Sequence, residues 1–331
     1  MKPEEKQEFI RYVDLLKGKR KAFLERTGMA RATYYKWRKR FDREGFEGLA
    51  KRKKRCGSWN ALLETEKMKI LEIAEKYPED SSRLLAVKIT DEAGFSVSES
   101  TVYRVLKEKG KIAPRPLAEM PAAKEWRHKM KRPDELWQCD GTNLFVVGWG
   151  NYKLIPVLDD YSRKVLGWDL KLDETGFSIA DVVEIAIENA RQEGHLADGV
   201  MPLLYTDNGS GFSSEVVAGY LKQHSIKHIF GTPYHPQGRG KIERLNRTLK
   251  EKVCLIVYTT PSELKVAIAE AFIKYNARPH ESLSNVSPND VYAGRKEEIL
   301  ERRAEIKRLT IERRKQYNSQ QRTRTQAEFV S

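Results

Sequence analysis

The sequence predicts an α/β fold: a mixed five-stranded sheet flanked by helices, with all-helical segments in front of it. Three observations carry this. Apolar residues recur at helical spacing through roughly the first 110 positions, β-rich runs begin at residue 134, and helix and strand then alternate to about residue 256.

The chain has 331 residues, 40% of them hydrophobic, enough for a core and for two or more domains. No apolar run approaches the ~18 residues of a membrane span, and no secretory signal opens the sequence. Cys56, Cys139 and Cys254 form no C-x-x-C pair, so a reduced cytoplasmic protein without a disulfide framework is expected. The net charge of +14 is unevenly spread: +11 over residues 1–60, +3 over 61–133, −8 over 134–230 and +8 over 231–331. Basic flanks suit a polyanion such as DNA, and an acidic centre suits a divalent cation. A solvated surface of mixed charge would give the same totals.

The elements follow in order. Phe9, Ile10, Val13 and Leu16 mark a first helix that Gly18 can end. KAFLERTGMARATYYKWRKRF (21–41) then has the shape of a helix-turn-helix, with Tyr34, Trp37 and Phe41 on an inner face. Arg31, Tyr35, Lys36, Arg38, Lys39 and Arg40 remain to meet phosphates or base edges. The run Lys51, Arg52, Lys53, Lys54 and Arg55 adds five charges, in DNA contact or as a solvated linker. A second helical unit follows, in which Ser98 caps a helix whose Val102, Val105 and Leu106 face inward. Its outward residues Ser100, Tyr103, Arg104 and Lys107 could read DNA. The expected divisions are 1–55 and 60–112 as helix-turn-helix domains and 113–133 as a Pro-containing linker. Residues 134–256 form the sheet domain and 257–331 a basic helical region with a disordered tail.

Within the sheet domain, DELWQCDGTNLFVVG, NYKLIPVLD and RKVLGWDLKL read as a meander of three strands. GFSIADVVEIAIENARQEG is an amphipathic helix, PLLYTD a fourth strand, SEVVAGYLKQH a helix and IKHIFG a fifth strand. After the looser GTPYHPQGRG comes a long helix, KIERLNRTLKEKVCLIVY. Asp140 lies in the first strand, Asp207 ends the fourth before Asn208-Gly209, and Glu243 opens the long helix. Acidic residues occupy about one position in seven, so this spacing alone is weak; strand, strand end and helix start are the stronger context. Asp159 and Asp160 are rival carboxylates at a turn and read as structural. The six histidines show no zinc spacing.

WQCDGT, LLYTDNGSGF and PYHPQGRGKIERLNRTLKE resemble the three signature regions of DDE transposases of bacterial insertion sequences, with a retroviral-integrase-like core. YNARPHESLSNVSPNDVYAG resembles the segment that follows the core in that family, and TGMARATYYKWRKRF and SESTVYRVLKEKG resemble its helix-turn-helix units. The resemblance implies a ribonuclease-H-like sheet with Asp140, Asp207 and Glu243 as catalytic metal ligands and Lys250 as a basic residue two turns on. It implies two Mg²⁺ per site, for which Mn²⁺ could substitute. Hard carboxylate oxygens suit such ions and an in-line phosphoryl displacement. Arg239, Lys241, Arg247 and Lys250 would touch DNA. Double-stranded DNA is the implied partner, as terminal inverted repeats and as target. A multimer of at least two copies would pair the ends in the bacterial cytoplasm, at the nucleoid when acting. A DNA-binding regulator with an inactive core, or an integrase of a phage or retroelement, would share the pattern. Two positions depart from the family: Ala30 stands where a Ser cap is common and Gly211 where Glu is common.

Overall fold

The computed structural model describes residues 1–16, 18–50, 59–112, 130–197, 199–231 and 240–328. They fall into two compact units, residues 1–63 with 311–331, and residues 64–310. Among the described residues no helix is long and apolar enough to cross a membrane.

The first unit holds α1 (Pro3–Leu15), α2 (Arg20–Arg26) and α3 (Arg31–Glu44). Pro3, Glu4 and Glu5 favour the start of α1, where a missing N–H costs nothing and negative charge meets the helix dipole. Ile10, Val13, Leu24, Tyr34 and Leu49 form the core, with Trp37 and Phe41 packed against it, as the spacing predicts. Gly28 turns the chain between α2 and α3 at φ +66°, a conformation that favours glycine. Ala30 gives α3 no side-chain cap, as expected of alanine.

The C-terminal helix α12 (Lys296–Glu328) begins in the second unit and ends in the first. There Asn318 donates from Nδ2 to the carbonyls of Trp59 (2.9 Å) and Ala61 (3.1 Å). Disorder is expected of this polar tail from its composition, yet the helix continues to Glu328. Arg, Lys, Glu and Gln are strong helix formers, and Asn318 anchors the last stretch.

The second unit opens with α4 (Glu64–Lys76), α5 (Ser82–Ala93) and α6 (Glu99–Glu108). Ser81 and Ser98 cap α5 and α6, and Gly94 ends α5 in the left-handed region. Val102, Val105 and Leu106 are buried as predicted. Arg303 clasps Asp91 (2.6 and 2.8 Å), and Thr310 accepts from the Ser96 amide (2.9 Å), so these helices pack within the unit that holds the sheet.

The sheet has six segments: β1 (Leu136–Cys139), β2 (Thr142–Val146), β3 (Gly150–Asp159), β4 (Val165–Lys171), β5 (Leu203–Thr206) and β6 (Lys227–Phe230). Both β1 and β2 pair antiparallel with β3, and one register runs through them: Cys139 opposes Val157, and Thr142 opposes Leu154. They are one ribbon interrupted at Asp140-Gly141, so the predicted five strands stand. Asp140 therefore follows a strand end instead of lying within a strand. The same register puts it opposite Pro156, which has no amide hydrogen for a rung there. On the other edge of β3 lies β4, and β5 and β6 extend the sheet from β1 in parallel.

Helices cover both faces. Ile155, Val157, Trp137 and Leu204 pack against α7 (Gly176–Gln192) and α8 (Glu215–Gln223). Leu154, Leu158 and Leu144 pack against α9 (Gly240–Val253) and α10 (Pro261–Ala277). Gly167 of β4 touches α7 so closely that a Cβ would stand 2.7 Å from the Ala186 nitrogen. Asp134, at φ +59°, is a hub before β1. It accepts from the Trp137 indole (2.9 Å) and the Tyr292 hydroxyl (2.9 Å), and meets His195 Nδ1 (2.6 Å). Tyr292 ends α11 (Pro288–Tyr292), so this hub ties the segment after the core to the sheet.

Candidate active site

Parallel pairing of β1 with β5 brings two aspartates together. Leu136, Trp137 and Gln138 pair with Leu203, Leu204 and Tyr205. Two further steps of that register set Asp140 beside Asp207, on neighbouring ribbons ~4.8 Å apart at one end of the sheet. Asp140 is 8% exposed and Asp207 half-buried. Cys139, just before Asp140, packs under the α7 face, and its thiol pKa is driven well above its ordinary range by burial and then by the Asp140, Glu174 and Asp207 carboxylates.

Each aspartate is braced by its own turn or helix. The Gly209 amide donates to Asp207 Oδ1 (2.9 Å), and a Cβ on Gly209 would stand 2.9 Å from that oxygen, so the turn suits glycine. Asn208 donates to the Gly231 carbonyl (3.2 Å) beyond β6, pinning the same turn. Asp140 Oδ2 accepts from Asn246 Nδ2 of α9 (3.1 Å). The start of α9 is docked by the Ile242 amide on Gln138 Oε1 (3.3 Å) and by Lys241 on the Asp160 carbonyl (3.0 Å) and carboxylate.

Glu243 lies in the first turn of α9, exposed, one turn before Asn246. Among the described residues no three His, Cys, Asp or Glu side chains stand close enough to hold one ion. The fold thus juxtaposes Asp140 and Asp207 and tethers the helix that bears Glu243, without closing the three carboxylates on one point. Two adjacent carboxylates with hard oxygens fit a divalent cation that also binds phosphate.

The remaining expected contacts sort by exposure. Arg31, Tyr35, Lys36 and Lys39 are exposed on α3; Arg40 is partly covered, and Arg38 is ion-paired with Asp14 and Asp42. Ser100, Tyr103, Arg104 and Lys107 form an exposed stripe along α6. On α9, Arg247 is exposed, Lys250 half-buried and Lys241 engaged with Asp160. Residues 51–55 and Arg239 lie outside the described residues.

Asp159 and Asp160, the rival carboxylates, are both buried and engaged within the fold. Asp159 is fully buried and accepts from the Asp134 amide (2.9 Å) and from the Ser162 amide (2.7 Å) and hydroxyl (2.6 Å). Burial raises its pKa to about 6 against the pull of those donors. Asp160 accepts from Gln138 (2.7 Å) and binds Lys241.

Two site residues escape a reading of the sequence. Asn246 could have been found by its helical spacing from Glu243. Glu174, which follows β4, carries no such signal. Its carboxylate, held by Lys153 (3.0 Å), lies where a Cβ on Gly141 would be, and its carbonyl lies 1.9 Å from where a Cβ on Gly211 would be. This close packing accounts for glycine at position 211.

Fold and site define an α/β domain, a mixed sheet covered by helices on both faces with two aspartates at one end, in a chain whose N-terminal region is all helical. Residues 130–236 match the family model "Integrase core domain", and a second model of that description matches residues 224–288. "Helix-turn-helix domain" matches residues 5–55 and "Homeodomain-like domain" residues 33–106. The chain is 26% identical over 245 residues to the transposase of transposon Tn552 from Staphylococcus aureus, a match over 68% of this chain and 50% of that protein. A Pol polyprotein of equine infectious anemia virus is 38% identical over 97 residues, 29% of this chain and 8% of that protein. The chain thus spans half or less of these curated relatives. Among solved structures, the HTLV-2 integrase catalytic core in complex with magnesium aligns with TM-score 0.37 and 22% identity, over 49% of this chain and 97% of that one.

Proposed function

We propose that this protein is a DNA strand transferase of a bacterial mobile element. In this reading its helix-turn-helix domains, 1–55 and 60–112, hold the element ends, and its core, 134–256, cuts and joins them. The adjacency of Asp140 and Asp207 carries the reading, because two carboxylates on neighbouring strand ends are what a phosphate-bound cation needs. When bound there, Mg²⁺ supplies charge neutralisation at the phosphate and activation of the attacking oxygen.

The residues of the chain then have distinct tasks. Asp140 and Asp207 would hold the cation, with Asn246 and Gly209 fixing their carboxylates. Glu243 would join them as the third ligand when DNA is present. Lys250, seven residues on, contacts a phosphate from the same side of α9. Water attacks a phosphodiester in line, breaking its P–O3′ bond to leave a 5′-phosphate and a 3′-OH; that 3′-OH then attacks a phosphodiester of target DNA, forming a new P–O bond as the target's own 3′-oxygen leaves with the proton. Similarity to the Tn552 transposase over 68% of the chain favours a transposase over a viral integrase. Two copies pairing two ends are the smallest assembly this requires, acting in the cytoplasm at the nucleoid.

The test is Mg²⁺-dependent cleavage and joining of duplexes copied from the DNA that flanks the gene. Asp140→Asn, Asp207→Asn and Glu243→Gln are each expected to abolish both steps while leaving duplex binding intact. Cleavage or strand transfer retained by Asp140→Asn or Asp207→Asn sinks this reading, and retention by Glu243→Gln removes Glu243 from the site.

A further inference from the structure

Helix α9 has a second functional face. Arg244, Thr248 and Lys252 follow at four-residue spacing, rotated away from Glu243, Arg247 and Lys250. They line one wall of a cavity of about 510 Å³. The segment after α10 contributes Arg278 and His280 to the same lining, and Arg83 of α5 completes it. All of these residues lie in the second compact unit.

Four cationic side chains, Arg83, Arg244, Lys252 and Arg278, therefore share one pocket, and Glu281 is the single carboxylate among its lining residues. Among the described residues no carboxylate comes within the 4.0 Å of an ion pair with any of the four. Elsewhere on this protein lysines and arginines are commonly neutralised, as Arg303 is by Asp91 and Lys171 by Asp181. Holding like charges together is unfavourable unless an anion joins them. Arg83 is fixed by a bond to Asn285 Oδ1 (2.5 Å) with donors to spare, and Thr248 and Ser282 add hydroxyls. The neighbourhood registers the excess charge. His280 is pushed down to about 4 by burial and by Arg163, Arg83, Arg244 and Arg278, and Lys252 is lowered by burial, Arg278 and Lys274.

We propose that this pocket is a second phosphate site, distinct from the carboxylates, which grips a backbone phosphodiester of the bound duplex. Guanidinium forks and hydroxyls suit phosphate oxygens. Because Arg244 adjoins Glu243, a phosphate held here restrains the helix that must deliver that carboxylate. The choice of DNA as ligand rests on the strand-transferase reading.

The test titrates the full-length protein with a labelled duplex of mixed sequence between about 50 and 200 mM salt, without Mg²⁺. Replacing Lys252 and Arg278 together by Gln is expected to lower the slope of log Kobs against log salt by about 1.8, at ~0.9 per lost contact. Lys252→Arg with Arg278→Lys is expected to keep the parental slope. An unchanged slope in a Gln variant that melts like the parent overturns the proposal. If that variant is destabilised, the exposed Arg244→Gln carries the same readout, with an expected loss of about 0.9. A free-anion site would show instead as a Tm rise with millimolar inorganic phosphate that the Gln variant loses while its slope stays parental, which also overturns the proposal. The two readings fail separately. Cleavage retained by Asp140→Asn sinks the transferase reading, whereas an unchanged slope beside an inactive Asp140→Asn sinks only the pocket.

Discussion

Asn246 donates a hydrogen bond across 3.1 Å to Asp140, joining the helix that bears Glu243 to the strand end that bears the first aspartate. The amide is 6% exposed, and its Oδ1 has no hydrogen-bond partner among the described residues. An unsatisfied buried oxygen costs stability, so the position is one where geometry outweighs it.

Asn246→Ala is accordingly expected to slow single-turnover cleavage by about 10–100-fold, the usual cost of removing a partner that orients a metal-site ligand. Duplex affinity should stay within about twofold by the absence of a phosphate contact. A parental cleavage rate would show that the tether is idle.

At Gly167 the sheet and α7 are in backbone contact. Gly167→Ala forces them apart and should lower urea-unfolding stability by about 1–3 kcal/mol, the cost of overpacking a close-packed contact. The substitution is small, and the strand backbone accepts alanine, so a neutral result would place the closest approach elsewhere.

His280 gives a pH signature. Its folded pKa, about 4, lies below the ordinary 6.5, so the folded state favours the neutral ring. As pH falls from 6.5 the unfolded chain takes up the proton first, and the contribution of this ring, fully present above 6.5, drains away towards pH 4. Wild type should lose about 1–2 kcal/mol more than His280→Gln across that window, after allowance for solvent screening. Parallel stability curves for the two proteins would refute it.

Lys250→Ala is expected to reduce the salt slope of duplex binding by about 0.9 and to slow cleavage, with Lys250→Arg restoring the slope. The measurement is the same anisotropy titration, run beside the cleavage assay. A slope that does not move would place Lys250 off the phosphate backbone.

Much of this molecule is legible in its sequence because local rules and tertiary structure agree. Val102, Val105 and Leu106 declare a helix face, and Leu203–Thr206 before Asn208-Gly209 declares a strand end. Asp140 shows the limit of such rules. WQCDGTNLF reads as one strand, and the interruption comes from Pro156, sixteen residues away and visible only through the register. Glu174 lies beyond local reading as well, since only folding lays it over Gly141. The basic pocket gathers residues 83, 244, 252 and 278 from separate elements, and nothing in their spacing announces it. Gly211 is the converse case: the sequence shows a departure, and the Glu174 carbonyl supplies its reason.

The bonds from Asn318 to Trp59 and Ala61 have a consequence in time. Translation delivers α1 to α3 early, but the unit they belong to also contains residues 311–331. That unit cannot be completed until residue 318 has been made. A polypeptide halted after the sheet domain would carry α1 to α3 without the end of α12, so full assembly of this unit reports that the sheet domain has already been synthesised.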